Sequence, residues 1–404
     1  MGIRFMEKTA KKRIIFVIES FNLGGAEKSL VTLLNLLDYS KYEVELLLFA
    51  QGGAFQKLLP EKVTLLPVPD FFSYTSIPWH SFGKKLKKPK ALFAQLRYSL
   101  ALRLKKHTHI EKAALLWKYS QNSFSDLSGN YDVAIAYAQG IPTFFVAEKV
   151  KAKKKAAWIN AIYRPQGAYL DYIKPFYSKF DFVNAVSDTV AQQIQETFAL
   201  PPCKITHIMD ILDTDFAAKM AEMPSDASAD MSGPGTKILT VGRLCAMKGY
   251  DLAIDAARLL VERGLDFTWY VIGNGALREE LERQIYGNGL KNRFILLGSR
   301  NNPYPYFNAC DLYVQPSKHE GFGITLAEAK MFHKPIVTTN FEAVSAQFTN
   351  GVNGLIVDIS AQGIADGILK MLSDTALMRN CAENLKKEKI GNTEEIEKFY
   401  KLIG

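Results

Sequence analysis

Only four cysteines occur in 404 residues, and they lie far apart, at Cys203, Cys245, Cys310 and Cys381. With no Cys-x-x-Cys pair among them, neither a zinc-ribbon site nor a disulfide framework is expected, and reduced thiols in a cytosolic protein are the simplest reading. Long apolar runs are missing too. No stretch approaches eighteen uninterrupted apolar residues, so no membrane-spanning helix is expected. The run Ile14-Ile-Phe-Val-Ile18 follows basic residues, as the core of a signal peptide would. It is too short for one, meets Glu19 and has no small-residue cleavage site, so it is expected to be a buried first strand. Short tandem repeats are also absent. What remains is an ordinary globular composition, 48% hydrophobic, 23% charged and 12% aromatic, which excludes a largely disordered chain. The length favours two domains over one core.

Acidic residues are scarce in the first half. Residues 1–200 hold 28 Lys/Arg against 16 Asp/Glu (+12), and residues 201–404 hold 22 against 25 (−3), which gives the net +9. The excess is clustered at Lys84-Lys85, Lys87-Lys88 and Lys90, at Arg103, Lys105 and Lys106, and at Lys151 and Lys153 to Lys155. A solvated charged face and an anionic partner both account for such clusters.

Continuous apolar segments alternate with helical ones, the pattern of parallel strands covered on both faces. Strands are expected at Arg13–Ser20, Tyr42–Phe49, Lys62–Val68, Asp132–Tyr137, Ala156–Ile159, Phe180–Ser187 and Lys204–Ile211, with a helix over Ala26–Leu37. Ala217 to Lys237, rich in Ala, Ser, Asp, Pro and Gly, reads as a linker or exposed loop. The alternation then resumes, with strands at Ile238–Val241, Phe267–Ile272, Arg293–Leu297, Leu312–Val314 and Pro335–Thr338 and helices between them. Two doubly wound α/β halves with a cleft between them are expected. Within the first half, Ala91–Lys106 fits an amphipathic helix with a basic face. It reads either as a core helix with snorkelling lysines or as a membrane-surface helix.

Three loops carry chemistry. In Lys318-His-Glu320-Gly-Phe-Gly-Ile-Thr-Leu-Ala-Glu328-Ala-Lys330, glycines open a helix whose first N–H groups suit phosphate oxygens. Carboxylates would repel a phosphate, so Glu320 and Glu328 are expected to face hydroxyl groups, as on the two sugars of a nucleotide sugar. An N-cap followed by an exposed glutamate is the ordinary alternative. Val241-Gly-Arg243-Leu-Cys-Ala-Met-Lys248-Gly249 places two cations after a strand, suited either to a diphosphate or to a surface turn. Val271-Ile-Gly273-Asn-Gly275 ends another strand in glycines.

These three segments, with Glu19-Ser-Phe-Asn-Leu-Gly24-Gly25-Ala-Glu27, resemble glycosyltransferase family 4 of the GT-B fold over nearly the whole chain. The resemblance implies an α/β fold of two Rossmann-like domains. Residues 1–215 would bind the acceptor, with a C-terminal helix at about 392–404 packing back on them, and 216–391 would bind the donor. It implies a retaining, metal-independent hexosyltransferase without a resident cofactor. The donor would be a UDP- or GDP-sugar, and the acceptor a glycan or polyprenyl-diphosphate-linked glycan of bacterial surface polysaccharide, capsule or lipopolysaccharide. By position, Arg243 and Lys248 would hold the diphosphate and Glu320 would contact the donor sugar, these three being the catalytic set. Gly321, Phe322, Gly323, Ile324 and Thr325 would lie beside sugar and phosphates, Glu328 would bind the ribose, and Gly24, Gly25, Gly242, Gly273 and Gly275 would line the donor. Residues from Gly298 to Asn302 would flank the base.

The chain departs from the family at Asn160, where similar proteins usually carry histidine after the strand Ala156–Ile159. Asparagine is neither acid nor base. Another group, or the diphosphate, would then take the acceptor's proton, or activity is reduced. Tyr137 and Gln139 join Asn160 as acceptor-side candidates. Asp213-Thr214-Asp215 has the Asp-x-Asp form that binds metal in another transferase fold, and here reads as turn and hinge chemistry. Two alternatives stand beside the transferase: a catalytically weakened homologue acting as a binding subunit, and a nucleotide-sugar epimerase. No nucleic-acid motif is present. The expected location is cytoplasmic, at the inner face of the cell membrane, where the basic half would meet anionic lipid. The sugar, base, linkage and oligomeric state are not encoded in any recognisable pattern.

Overall fold

The structure, a computed structural model, describes residues 10–22, 25–75, 89–104, 107–161, 163–300 and 302–404. The chain divides into two compact units. The first comprises Met1–Asn22, Leu30–Ile208 and Ile396–Gly404, and the second Leu23–Ser29 and Met209–Glu395. The division falls at Ile208/Met209, against the 215/216 boundary that the family resemblance implied.

The first unit is built on seven parallel strands: β1 (Lys12–Ser20), β2 (Tyr42–Ala50), β3 (Val63–Leu65), β4 (Leu127–Ala136), β5 (Val150–Ile159), β6 (Phe182–Ala185) and β7 (Ile205–His207). They lie in the order β3-β2-β1-β4-β5-β6-β7. Ile14 to Val17 are fully buried, because helices cover both faces of such a sheet. The order reverses between β1 and β4, whose register pairs Ile14 with Val133 and Val17 with Ala136.

The end of the chain completes this core. In the helix Glu395–Ile403, Phe399 is fully buried and its ring lies 6.0 Å from that of Phe16 on β1. Tyr400 stacks on Tyr42 at 5.7 Å and its hydroxyl accepts from the Asp38 amide at 3.0 Å.

The second unit repeats the plan with six parallel strands: β8 (Thr236–Val241), β9 (Phe267–Ile272), β10 (Phe294–Gly298), β11 (Leu312–Gln315), β12 (Ile336–Thr339) and β13 (Leu355–Val357). Their order is β10-β9-β8-β11-β12-β13, so the reversal falls between β8 and β11. The sequence reading lacked β13, three residues too short to register as an apolar run. The helices Tyr250–Glu262 and Ala361–Ser373 supply Ile254, Ala257, Leu260, Ile364 and Ile368 to a core that includes Trp269 and Val271.

Two local expectations need correction. The segment Ala217–Lys237 is not a bare linker: it contains the end of the helix Thr214–Ala221 and the short helix Ala227–Asp230. Ala217, Met220, Ala227 and Met231 are buried, so small residues that read as linker composition serve as packing surface. The β5 lysines, expected as a solvated or partner-binding cluster, are engaged within the unit at three of four positions. Lys153 pairs with Asp132 at 2.8 Å, Lys155 donates to the Ala147 carbonyl at 3.0 Å and Lys154 reaches the Leu402 carbonyl at 3.5 Å. Lys84 to Lys88, Lys105 and Lys106 lie outside the described residues. Among the described residues no helix is long and apolar enough to cross a membrane.

At the start of the second unit's main segment, burial pushes the Asp210 carboxyl up to about 6, against a smaller lowering by the Ser29 hydroxyl. A carboxyl raised in the folded state contributes stability that is complete below its ordinary value near 4 and is lost as pH rises through about 6.

Phe399→Ala should cost about 3–5 kcal/mol by leaving a void against Phe16 and Trp158, read as a lower denaturation midpoint for the first unit. An unshifted midpoint would show that the terminal helix adds nothing. Asp210→Asn should stabilise the protein by on the order of 2–3 kcal/mol at pH 7.5. In thermal melts across the range, its advantage should shrink toward zero near pH 4, and a constant difference would count against the buried-carboxyl account.

Candidate functional site

In an open α/β sheet, ligands bind beyond the carboxyl ends of the strands where the order reverses. In the second unit that point lies beyond β8 and β11. The loop leaving β8 carries Arg243 and Lys248, and the loop leaving β11 carries Glu320, so strand order unites two segments that are distant in sequence. Lys248 Nζ lies 2.5 Å from Glu320 Oε1. The same oxygen accepts from Gln315 Nε2 at 2.7 Å and from Ser317 Oγ at 2.7 Å.

This arrangement follows from burial. The Glu320 side chain is only 10% exposed, and a carboxylate so shielded must be paired and hydrogen-bonded to be tolerated. Gln315 and Ser317 are themselves buried. Tyr313 donates to Gln315 Oε1 at 2.5 Å, which leaves the amide nitrogen to donate to Ser317 and Glu320. Arg243, in contrast, is exposed, and its guanidinium has no ion-pair partner among the described residues.

Beyond Glu320 the chain enters the helix Ile324–Met331 through Gly323, which has φ +83°. That left-handed conformation favours glycine and turns the helix's first amides, those of Ile324 and Thr325, outward from the turn without intrahelical acceptors. The loop is held from behind: Gln347 Nε2 donates to the Phe322 carbonyl, and Lys330 Nζ donates to the Gln347 carbonyl at 2.9 Å. Gly273 has a different duty. A Cβ there would meet the Gly242 carbonyl oxygen at 1.9 Å, so it lets the loops after β8 and β9 touch. At Gly275 a Cβ would meet the Leu244 oxygen at 2.3 Å. These two glycines are required by packing whether or not a ligand comes near.

Glu328 was expected beside an open ribose site. It is 2% exposed. Its Oε1 pairs with Lys28 and accepts from the Tyr304 hydroxyl at 3.1 Å, while Oε2 is buried with no hydrogen-bond partner among the described residues. Lys28 belongs to the helix Gly25–Leu36, whose first residues are part of this unit. Burial pushes the Lys28 ammonium below its ordinary value, partly offset by Glu328. Sequence reading missed Lys28, although it follows the quoted Gly24-Gly25-Ala-Glu27 directly. Gly25 approaches the same helix, since a Cβ there would lie 3.3 Å from Ile324 Cγ2. Gly24 lies outside the described residues.

The residues expected to flank a base are engaged internally. Arg300 pairs with Asp230 at 2.8 Å and Asn302 donates to the Met220 carbonyl at 2.6 Å. Gly298 ends β10, and Asn301 lies outside the described residues. Asp213 accepts from the Phe216 amide at 3.0 Å as the N-cap of the helix Thr214–Ala221, which agrees with turn chemistry. Among the described residues no group of three His, Cys, Asp or Glu is arranged to hold a metal ion.

In the first unit, Tyr137, Gln139 and Asn160 meet beyond the ends of β4 and β5. Asn160 Nδ2 donates to the Tyr137 carbonyl at 2.8 Å, its Oδ1 is buried with no partner among the described residues, and Gln139 Nε2 reaches the Ala161 carbonyl at 3.4 Å. The Tyr137 ring is not available to line a site. It is 1% exposed and stacks on Trp158 at 5.2 Å, so a strand-end aromatic that read as a ligand contact is core.

Residues 228–388 match the family model described as glycosyl transferases group 1. Among curated proteins, the alpha-D-kanosaminyltransferase of Streptomyces kanamyceticus is 30% identical over 43% of this chain and 45% of its own length. The 2-deoxystreptamine N-acetyl-D-glucosaminyltransferase of Niallia circulans is 30% identical over 45% of this chain and 47% of its own. The chain thus spans less than half the length of these two relatives. A Campylobacter jejuni protein, N-acetylgalactosamine-N,N'-diacetylbacillosaminyl-diphospho-undecaprenol 4-alpha-N-acetylgalactosaminyltransferase, is 26% identical over 90% of both chains. Among solved structures, Anabaena Alr3699/HepE in complex with UDP-glucose superposes with TM-score 0.68 at 19% identity, covering 96% of this chain and 98% of that one. The fold is that of GT-B glycosyltransferases, and the match to the glycosyl transferases group 1 model lies within the second unit.

Proposed function

We propose that the protein is a retaining glycosyltransferase that moves a hexose-type sugar from a nucleoside diphosphate to a glycan or polyprenyl-diphosphate-linked acceptor of a bacterial surface polysaccharide. The observation that carries this reading is the meeting of Lys248 and Glu320 at the end of adjacent strands, beside exposed Arg243 and a glycine-opened helix. Arg243, Lys248 and the amides from Gly321 to Ile324 would meet the diphosphate. Glu320 would take a sugar hydroxyl, and Glu328 would bind the ribose, as the family resemblance implies. Support for a uridine donor comes from the neighbour solved with UDP-glucose, and support for a lipid-linked acceptor from the name of the Campylobacter jejuni relative.

In the transfer, the bond from the anomeric carbon to the diphosphate breaks and the acceptor oxygen bonds to that carbon from the same face. Negative charge gathers on the departing diphosphate, where fixed cations and amides stabilise it. Asn160 cannot accept the acceptor's proton, so the departing diphosphate takes it. The positive charge that other transferases supply with a metal would come from Arg243 and Lys248.

A panel of UDP-, GDP- and ADP-sugars read by thermal shift should identify the donor, since a ligand of the folded state raises its apparent stability. With that donor, Lys248→Ala should lower kcat by about 10²–10³-fold, the cost of losing one stabilising group, and Glu320→Gln by a similar factor. Near-normal turnover in purified Lys248→Ala protein would remove Lys248 from the mechanism. Turnover should persist in EDTA, and a strict need for manganese or magnesium would overturn metal-independent chemistry. A donor-induced shift with no transfer to any lipid-linked or free glycan would leave a binding subunit as the reading.

A further inference from the structure

We propose that the exposed face of the helix Pro89–Leu104 docks on an anionic lipid bilayer. The inward face of the helix carries buried Ala91 and Ala94, with Tyr98 and Leu102 part-buried beside them. Three bulky apolar residues nevertheless point outward: Phe93 is 63% exposed, Leu96 51% and Leu100 61%.

These three positions, spaced i, i+3 and i+7, form one stripe on a helix of 3.6 residues per turn. At about 100° per residue, Lys90 and Arg97 border the stripe on one side and Arg103 on the other. All three are exposed. The adjoining helix His109–Ser120 adds exposed Lys112 and Lys118. Between Asp70 and Glu111 the sequence holds nine Lys/Arg and no acidic residue. Exposing three large apolar side chains in a row is unfavourable in water unless something covers them.

Charge selects the occupant. An apolar strip with cations on both flanks matches the boundary between acyl chains and anionic headgroups. A second copy of the chain fits poorly, because a two-fold contact would bring this acid-free face against itself. The proposal stands on the first unit alone and does not depend on the catalytic reading.

The full chain should co-sediment with phosphatidylcholine vesicles containing roughly a third phosphatidylglycerol, and far less with phosphatidylcholine alone or in high salt. Phe93→Ser/Leu100→Ser should weaken partitioning at least about tenfold. Lys90→Gln/Arg97→Gln/Arg103→Gln should weaken it by roughly fivefold per charge removed. Both sets lie on exposed positions, and unchanged thermal midpoints would establish that they fold. A Leu96→Trp variant should blue-shift its fluorescence on anionic vesicles alone. The proposal falls if the wild-type chain does not sediment with anionic vesicles, or if the serine variant sediments as well as the wild type. It also falls if sedimentation velocity shows a dimer that the serine variant abolishes, which would assign the face to self-association.

Discussion

Glu320 is the constraint around which the second unit's functional end is organised. A carboxylate withdrawn from water needs a cation and donors close by, and one of its oxygens receives a lysine, an amide and a hydroxyl. Meeting that demand fixes several other features. Gln315 must point its nitrogen toward Glu320, so Tyr313 has to donate to its oxygen. The β8 loop must return to the β11 loop, so Gly249 sits where any Cβ would strike the Pro316 carbonyl at 2.0 Å. The polar network and the close backbone contact therefore specify one loop arrangement, beside which Arg243 is exposed and has no ion-pair partner among the described residues.

The parallel-sheet architecture was legible because buried strands such as β1 and β9 are continuous apolar runs. Helices were expected between those strands, and Tyr250–Glu262 is marked by its apolar spacing and by Gly249 and Gly264 at its two ends. Legibility failed where side-chain identity does not reveal burial. The Ala- and Ser-rich stretch around Ala227 looked like linker because small residues suit both loops and tight packing. Tyr137 looked like a ligand contact because its position at a strand end is visible in the sequence and its stacking on Trp158 is not.

The site was partly legible for a related reason. Arg243, Lys248, Glu320 and the glycines announce themselves as residue types at strand ends. The pairing of Lys248 with Glu320 depends on β8 lying beside β11, and strand order is a long-range property. Lys28 escaped notice because a lysine in the first turns of a helix is usually a solvated charge. Only the fold brings it to Glu328, where two oppositely charged groups share a buried position and each makes the other tolerable.

The terminal helix has a bearing on synthesis. Phe399 fills a gap over Phe16, and these partners lie nearly four hundred residues apart in sequence. A ribosome delivers the first sheet long before it delivers this cover. Until the helix Glu395–Ile403 emerges, the nascent sheet exposes an apolar slot beside β1, β2 and β5, the condition in which partly made chains associate wrongly. Termination just before this helix would leave that slot open permanently, and such products would be marked for degradation despite retaining every loop of the donor side.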